Sequence, residues 1–268
     1  MGREEQAAFL ATVDRTDRLV KAADRWLSDV MEPPMKGSPM AHAYAQRQRE
    51  AFDFGYSLLY SVQDHLRAFV AVTKPVDTTS SVPSYALFTL LRSAAEAAVR
   101  ARHLLEPGIT HEERLARALN ERLTNLIEHG KVVLNERHRA ARVAHLEKRA
   151  TSLKIPICLD KNGKLLSFGQ PRQGMLELFD QYIPDGAKSW RELSAYAHSM
   201  QWMITSASRA TPSSEPGVVL ISTEAGTAQL LKIMTGVLDV FDDASMYWVI
   251  LAGMPADVWK HARQAQGN

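Results

Sequence analysis

Apolar residues recur at every third or fourth position over most of the chain, which is the spacing of an amphipathic α-helix with one buried face. Short polar breaks, in which proline, glycine, serine and threonine concentrate, separate these periodic stretches. The predicted helices span 3–31, 41–73, 84–106, 110–151, 174–182, 189–207 and 223–251. Because consecutive helices are joined by short loops, the pattern predicts an all-α protein built as an up-and-down helical bundle.

One segment, 155–171, breaks the helical pattern. Its Asn162-Gly163 pair stands between two short apolar runs, which is the signal of a type I′ turn in a β-hairpin. We therefore expect a small two-stranded hairpin inserted into the helical protein at this segment. Farther along, 211–216 is predicted to be a loop, and 218–221 fits either a short strand or extended chain.

The length and composition are those of a globular protein with a substantial core. The chain has 268 residues, of which 46% are hydrophobic and 23% are charged, so wholesale disorder is excluded. We predict a single helical domain over 1–268, in which 1–73 forms an N-terminal helical pair and 84–260 forms the core bundle.

Positive charge is concentrated in the middle of the chain, although the formal net charge of the whole is only +2. Between Arg92 and Lys154 there are thirteen Lys and Arg against eight Asp and Glu, together with five of the nine histidines. This distribution is typical of an electrostatic footprint for nucleic acid. A long solvated helix gives the same count, and the two interpretations stay open.

The expected compartment is the cytoplasm. Cys158 is the only cysteine, so no disulfide can form within the chain, which suits a reducing environment. The charged N-terminus lacks the apolar core of a signal peptide, and the longest apolar run, 246–254, is too short to cross a bilayer. We expect no membrane association.

Side chains capable of chemistry gather on one face of the predicted helix 189–207. Ser189 followed by Glu192 has the spacing of a capping box at a helix start. An apolar stripe follows on one face, at Leu193, Tyr196, Ala197, Met200, Met203, Ile204 and Ala207. The opposite face carries Arg191, Ser194, His198 and Trp202 among its polar and aromatic residues.

Arg191 and His198 are the candidate catalytic pair on that face. Seven positions apart on a helix, they point the same way within about 20° and lie roughly 10 Å apart along the axis. A cation and an imidazole in one groove are suited to acid–base chemistry on a phosphodiester, with Ser194 and Trp202 as supporting residues. An ordinary hydrogen-bonded groove histidine is the alternative interpretation.

A charged ladder on the predicted helix 84–106 is the second candidate. Arg92, Glu96 and Arg100 recur at every fourth position, and His103 continues the row. Such a row is an exposed series of ion pairs on a helix surface. Alternatively, a carboxylate between two arginines orients a catalytic group on a neighbouring helix.

Several common chemistries lack their motifs. The sequence contains no P-loop, no dinucleotide-binding glycine motif, no hydrolase nucleophile elbow and no H-E-x-x-H. His138 and His145 share a helix face with Arg142, whose cation opposes metal binding. We therefore expect neither a metal site nor a cofactor.

Three segments carry a resemblance to known proteins: SYALFTLLRSAAEAAVRARHLLEPGIT, SWRELSAYAHSMQW and DVFDDASMYWVILAGMPADVW. Over residues 84–260 the chain resembles a group of actinobacterial helical proteins that look similar to the HEPN superfamily. HEPN proteins carry an arginine and, after four to six residues, a histidine near the start of a late helix. Three pairs here have that spacing, namely Arg122/His129, Arg139/His145 and Arg191/His198. Only the last is predicted to lie at a capped helix start opposite an apolar stripe.

The resemblance implies a four-helix HEPN-like core with extra N-terminal helices, a homodimer, and metal-independent cleavage of RNA in a defence or toxin–antitoxin system. Arg191 would stabilise phosphate charge and His198 would move a proton. A protein partner, such as an antitoxin or regulator, is implied as well. Two alternatives remain: a non-enzymatic interaction or regulatory module with a degenerate site, and a small-molecule binder with Tyr196, Trp202 and Trp248 as pocket walls.

Overall fold

Helices make up most of the described chain. The computed structural model describes residues 3–29, 34–74, 84–132, 136–203, 208–212, 219–223 and 227–264. The helices are α1 Arg3–Asp29, α2 Pro39–Ala45, α3 Glu50–Thr73, α4 Ser84–Leu104, α5 His111–Val132, α6 Glu136–Ser152, α7 Met175–Tyr182, α8 Gly186–Ala197, α9 Thr227–Leu251 and α10 Ala256–Gln264. The strands are β1 Ile157–Leu159, β2 Leu165–Phe168, β3 Ser208–Pro212 and β4 Val219–Thr223.

The predicted all-α bundle with a small hairpin is confirmed. β1 and β2 pair antiparallel within the predicted segment 155–171, with Ile157 opposite Phe168. Gly163 has φ of +75° in the connecting turn, a conformation that glycine adopts without the steric penalty of a Cβ. Within the described residues, no helix is long and apolar enough to cross a membrane.

Helix α4 lies at the centre of the main core, where it packs on α3, α8 and α9 and also contacts α7 and α5. Its buried positions are rich in alanine: Ala94, Ala95, Ala98 and Ala101 are all fully buried. Small side chains let neighbouring helix axes approach closely. Helix α1 contributes Val20 and Trp26 to this same core.

A second, smaller core joins α5, α6 and the β1–β2 hairpin. Its members include Leu119 of α5, Leu146 of α6 and Phe168 of β2, all of which are buried. Asn120 ties the hairpin to α5: its Nδ2 donates to the carbonyl of Phe168 at 3.0 Å, and its Oδ1 accepts from the N–H of Phe168 at 2.8 Å. The side-chain amide of Asn120 therefore hydrogen-bonds to both the N–H and the carbonyl of one strand residue.

Replacing Asn120 with Ala is expected to lower the free energy of unfolding by about 2 kcal/mol. The change removes the acceptor of the buried Phe168 N–H, whereas the Phe168 carbonyl keeps its second donor, the N–H of Gln170 at 2.7 Å. The expected loss lies in the range for a buried polar group left unsatisfied. Urea unfolding followed by circular dichroism measures the effect. Asn125→Ala on the exposed side of the same helix is the matched control. Equal stability of the two variants would contradict the assigned role of Asn120.

Two predicted helices are each divided in the structure. The helix predicted over 41–73 becomes α2 and α3, separated by a turn in which Arg47 has φ of +54°. The helix predicted over 110–151 becomes α5 and α6, which pack against each other. Helix α5 begins at His111, one residue after the predicted start, and the N–H of Glu113 donates to Thr110 Oγ1 at 3.1 Å.

The predicted helix 189–207 is wrong at both ends. Helix α8 starts at Gly186 and ends at Ala197, and strand β3 begins at Ser208 and pairs antiparallel with β4. The predicted loop 211–216 is therefore partly strand, and the extended segment predicted near 218–221 belongs to β4. Residues 204–207 lie outside the described chain.

Candidate functional site

The start of α8 differs from the predicted capping box. Asp185 is the N-cap in a left-handed conformation with φ of +53°, and the N–H of Ser189 donates to its carbonyl at 2.9 Å. Ser189 thus lies inside the helix, where it is only 1% exposed. The carboxylate of Glu192 accepts from Gln229 of α9 rather than from the helix start. The predicted box is wrong because Ser189 lies inside α8, with its Oγ enclosed and without a hydrogen-bond partner in the described chain, while Glu192 binds a residue of α9.

The end of α8 is a Schellman turn. The N–H of Met200 donates to the carbonyl of Ala195 at 2.9 Å, and the N–H of Ser199 donates to Tyr196 at 3.1 Å. Ser199 has φ of +50°, the left-handed conformation that this motif requires. His198 is therefore the C-cap residue, and its side chain is exposed at the end of the helix.

Aromatic packing places the end of α8 against the first half of α4. The Tyr196 ring stacks on Phe88 with centroids 3.7 Å apart and planes 6° apart, and it also contacts Tyr85. Tyr182, just before α8, contacts His103 near the other end of α4. The two helices consequently run antiparallel, and the end of α8 comes level with Arg92.

Arg92, Glu96 and His198 form a connected polar group on the surface. Arg92 Nη1 donates to His198 Nε2 at 3.0 Å, and Arg92 Nε donates to Glu96 Oε1 at 2.8 Å. Because a guanidinium can only donate, Nε2 is the acceptor, so the imidazole is neutral with its hydrogen on Nδ1. Two sets of residues predicted separately, on helices about a hundred residues apart, thus meet in one place.

The other residues predicted with His198 lie before it on α8 or after the end of that helix. Arg191 is exposed on α8, two turns before His198. Ser194 is partly buried, and its Oγ is enclosed without a hydrogen-bond partner in the described chain. Trp202 lies beyond the end of the helix with 54% of its surface exposed, and Met200 beside it is 47% exposed.

Arg100 is not part of the group. Its Nε and Nη2 both donate to Glu121 Oε2 of α5, at 3.0 and 2.6 Å. Its guanidinium also lies over the Phe54 ring of α3, 5.4 Å from the centroid. This member of the predicted ladder therefore joins α4 to α5 and α3, one turn beyond Glu96.

His103 belongs to a buried cluster, although the sequence pattern predicted it as a member of the exposed ladder on α4. Arg117 of α5 donates to the carbonyl of His103 at 2.6 Å, to Glu106 at 2.9 Å and to Glu113 at 2.7 Å. Burial, followed by the charges of Arg117 and Arg102, lowers the pKa of His103 to about 3. A neutral, enclosed imidazole that accepts from arginine joins helices here, and no simple sequence signal marks it.

The three aromatic residues suggested as pocket walls lie in different surroundings. Trp248 packs edge-on against Trp26 and Phe52 in the main core. Tyr196 stacks on Phe88, whereas Trp202 is mostly exposed. The structure therefore does not bring them together around one cavity.

No protein-family model, no curated protein and no solved structure matches the chain. The resemblance to the HEPN superfamily accordingly stays a prediction from the quoted segments. Among the residues that the structure describes, no three His, Cys, Asp or Glu side chains gather where they could hold a metal ion.

Proposed function

We propose that the protein is a cytoplasmic, HEPN-like RNA-binding protein that cleaves RNA without a metal ion, at the surface group formed by Arg92, Glu96 and His198 together with Arg191. The observation that carries the proposal is the 3.0 Å contact between Arg92 and His198. It joins a predicted acid–base residue to a predicted cation from another helix. The exposure of His198 leaves this group open to a substrate.

Each side chain has a role that its contacts allow. Arg92 has five N–H donors and directs only part of them to Glu96 and His198, so the rest can bind a phosphate. The carboxylate of Glu96 holds that guanidinium in place. A phosphate oxygen that takes over Nη1 frees the Nε2 lone pair of His198. Arg191, on the same side of α8, adds a second positive charge.

The proposed reaction is an internal transfer within the RNA. The neutral His198 Nε2 accepts the proton of the ribose 2′-OH as the 2′-oxygen attacks the adjacent phosphorus. The bond from phosphorus to the 5′-oxygen of the next nucleotide breaks, and that oxygen takes a proton from water. The products are a 2′,3′-cyclic phosphate and a 5′-hydroxyl. The guanidinium of Arg92 offsets the charge that develops on the phosphate oxygens.

The experiment is to incubate purified protein with single-stranded RNA in excess EDTA and to identify the product ends by mass spectrometry. We expect cleavage that leaves 2′,3′-cyclic phosphate and 5′-hydroxyl ends. Intact RNA at stoichiometric protein concentrations, or cleavage only after Mg²⁺ is added, contradicts the proposal. A preparation treated with a ribonuclease A inhibitor controls for contamination.

A second candidate function is a protein-interaction module, and the exposed Met200 and Trp202, two and four positions after His198, favour it. Large exposed apolar side chains in one short segment are typical of an interface, either with a second copy or with an antitoxin or regulator. Light scattering of the wild type and of Trp202→Ser tests this alternative. A homodimer that Trp202→Ser converts to monomer places the interface here, and the cleavage experiment decides between the two functions.

A further inference from the structure

The helical hairpin formed by α5 and α6 has an open groove between its two helices. The groove has a volume of about 710 Å³. It is lined by Phe54 of α3, by Arg122, Asn125, Leu126 and His129 of α5, and by His138, Ala141, Arg142, His145 and Leu146 of α6. Within each helix these positions follow the three- and four-residue spacing of a single face, so the two faces look at each other across the groove.

The composition of these facing sides is unusual for a helical hairpin. Near Leu119 and Leu146, at the end of the hairpin away from its tip, the helices meet through the ordinary apolar contacts of the second core. Toward the tip, the same faces carry two arginines and three histidines, and all five are exposed. Burial of apolar surface therefore explains the choice of residues near Leu119 and Leu146, but it does not explain the arginines and histidines along the groove.

The positive charges in the groove are not used to hold the fold. Arg114 and Arg117, nearer the start of α5, donate to backbone carbonyls and carboxylates. By contrast, Arg122 and Arg142 make no ion pair within the described residues. Asp53 is the carboxylate whose charge acts on Arg122, and it is already paired with Arg49 at 3.0 Å. The groove lining itself includes no Asp or Glu.

We propose that this groove binds the phosphate backbone of one strand of RNA, an inference that rests on the proposed function and names where its substrate is held. Guanidinium groups bind phosphate with two parallel hydrogen bonds, and imidazoles add further donors. The apolar floor at Leu126, Leu146 and Phe54 suits the faces of unstacked bases. A duplex is far wider than the space between two packed helices, so the groove admits a single strand.

The test measures binding with an RNA that the proposed reaction cannot cleave. The probe is a short fluorescein-labelled oligonucleotide with 2′-O-methyl groups, which removes the attacking hydroxyl, and the readout is fluorescence anisotropy. In the variant with Arg122→Gln and Arg142→Gln, we expect the dissociation constant to rise by about tenfold or more. The slope of log K against log salt should become shallower by about 1.4, for two lost contacts to a single strand.

Arg137→Gln with Lys148→Gln is the matched control, since both residues are exposed on α6 outside the groove. It removes the same charge from the same hairpin and should keep the wild-type dissociation constant. Equal weakening in the two variants overturns the proposal, because it indicates a diffuse positive field. Absence of binding by the wild type, or tighter binding of a labelled polyglutamate peptide than of the RNA, overturns it as well.

The two proposals fail in different ways. If the groove variant loses RNA binding but the wild type does not cleave RNA in EDTA, the groove stands and the enzymatic function is wrong. If RNA is cleaved in a His198-dependent manner while the groove variant binds the probe normally, the function stands and the groove is overturned. All four substituted side chains are exposed, and unchanged circular dichroism spectra establish that the fold is retained.

Discussion

His198→Ala is expected to lower the rate of RNA cleavage by about 10²- to 10⁴-fold, the usual contribution of a positioned acid–base group. The loss should appear in kcat, because the phosphate at the cleavage site is held by the cations Arg92 and Arg191 and not by the neutral imidazole. The measurement is a single-turnover cleavage time course in EDTA. The side chain is exposed, and its hydrogen-bond partner within the described chain is Arg92, so its removal should leave the fold intact.

His261→Ala is the matched control, since His261 is exposed on α10, away from α4 and α8. It should cleave RNA at the wild-type rate. A rate that stays unchanged in His198→Ala would show that the contact with Arg92 is structural. In that case the cleavage would have to be assigned to other residues or to a contaminant.

Gly186→Ala is expected to destabilise the protein by about 3 kcal/mol or more, at the upper end of the effects of overpacking. A Cβ at this position would overlap the carbonyl group of Phe179 and approach the N of Asp180, which are backbone atoms of α7. A flexible side chain could turn aside, but a helix backbone cannot. Relief requires α8 to move away from α7, which exposes the buried Leu193 and Tyr196.

Urea unfolding of Gly186→Ala measures that loss, with Gly108→Ala as the control. A Cβ at Gly108 meets nothing within 4 Å, and its backbone does not require glycine. We expect Gly108→Ala to unfold at the same urea concentration as the wild type. If both variants have wild-type midpoints, the close approach of α8 to α7 is wrong, and so is the position that it gives to His198.

The long apolar patterns predicted where helices lie, and the predicted ends at Thr73, Tyr182 and Leu251 are confirmed. They did not predict the division of two long helices or the end of α8. Helix α5 ends at Val132 and α6 begins at Glu136, and the sequence between them contains no proline or glycine from which a helix end could be predicted. The end of α8 depends on Ser199 adopting a left-handed conformation, which serine rarely does and which packing of Tyr196 on Phe88 supports. A local pattern contains no information about such contacts between distant segments.

Residue spacing predicted part of the candidate site, but it could not predict which neighbouring helix each residue contacts. Spacing alone put Arg92 and Glu96 on one face of α4, and the structure brings that face to His198. The spacing could not show that Arg100, one turn later, faces α5 instead and binds Glu121. A central helix has a different neighbour at each turn, so equal spacing along it does not mean a shared environment.

The central place of α4 has a consequence for the order in which the protein can fold during synthesis. Its partner α3 precedes it in the chain, but α9 follows only after roughly 120 more residues. At a translation rate of about 5–20 residues per second, α9 is synthesised on the order of ten seconds after α4. The alanine-rich side of α4 has no α9 to pack against during that time. The nascent chain therefore leaves the ribosome with an open hydrophobic surface, which makes the interval before α9 emerges the time when chaperones have most to bind.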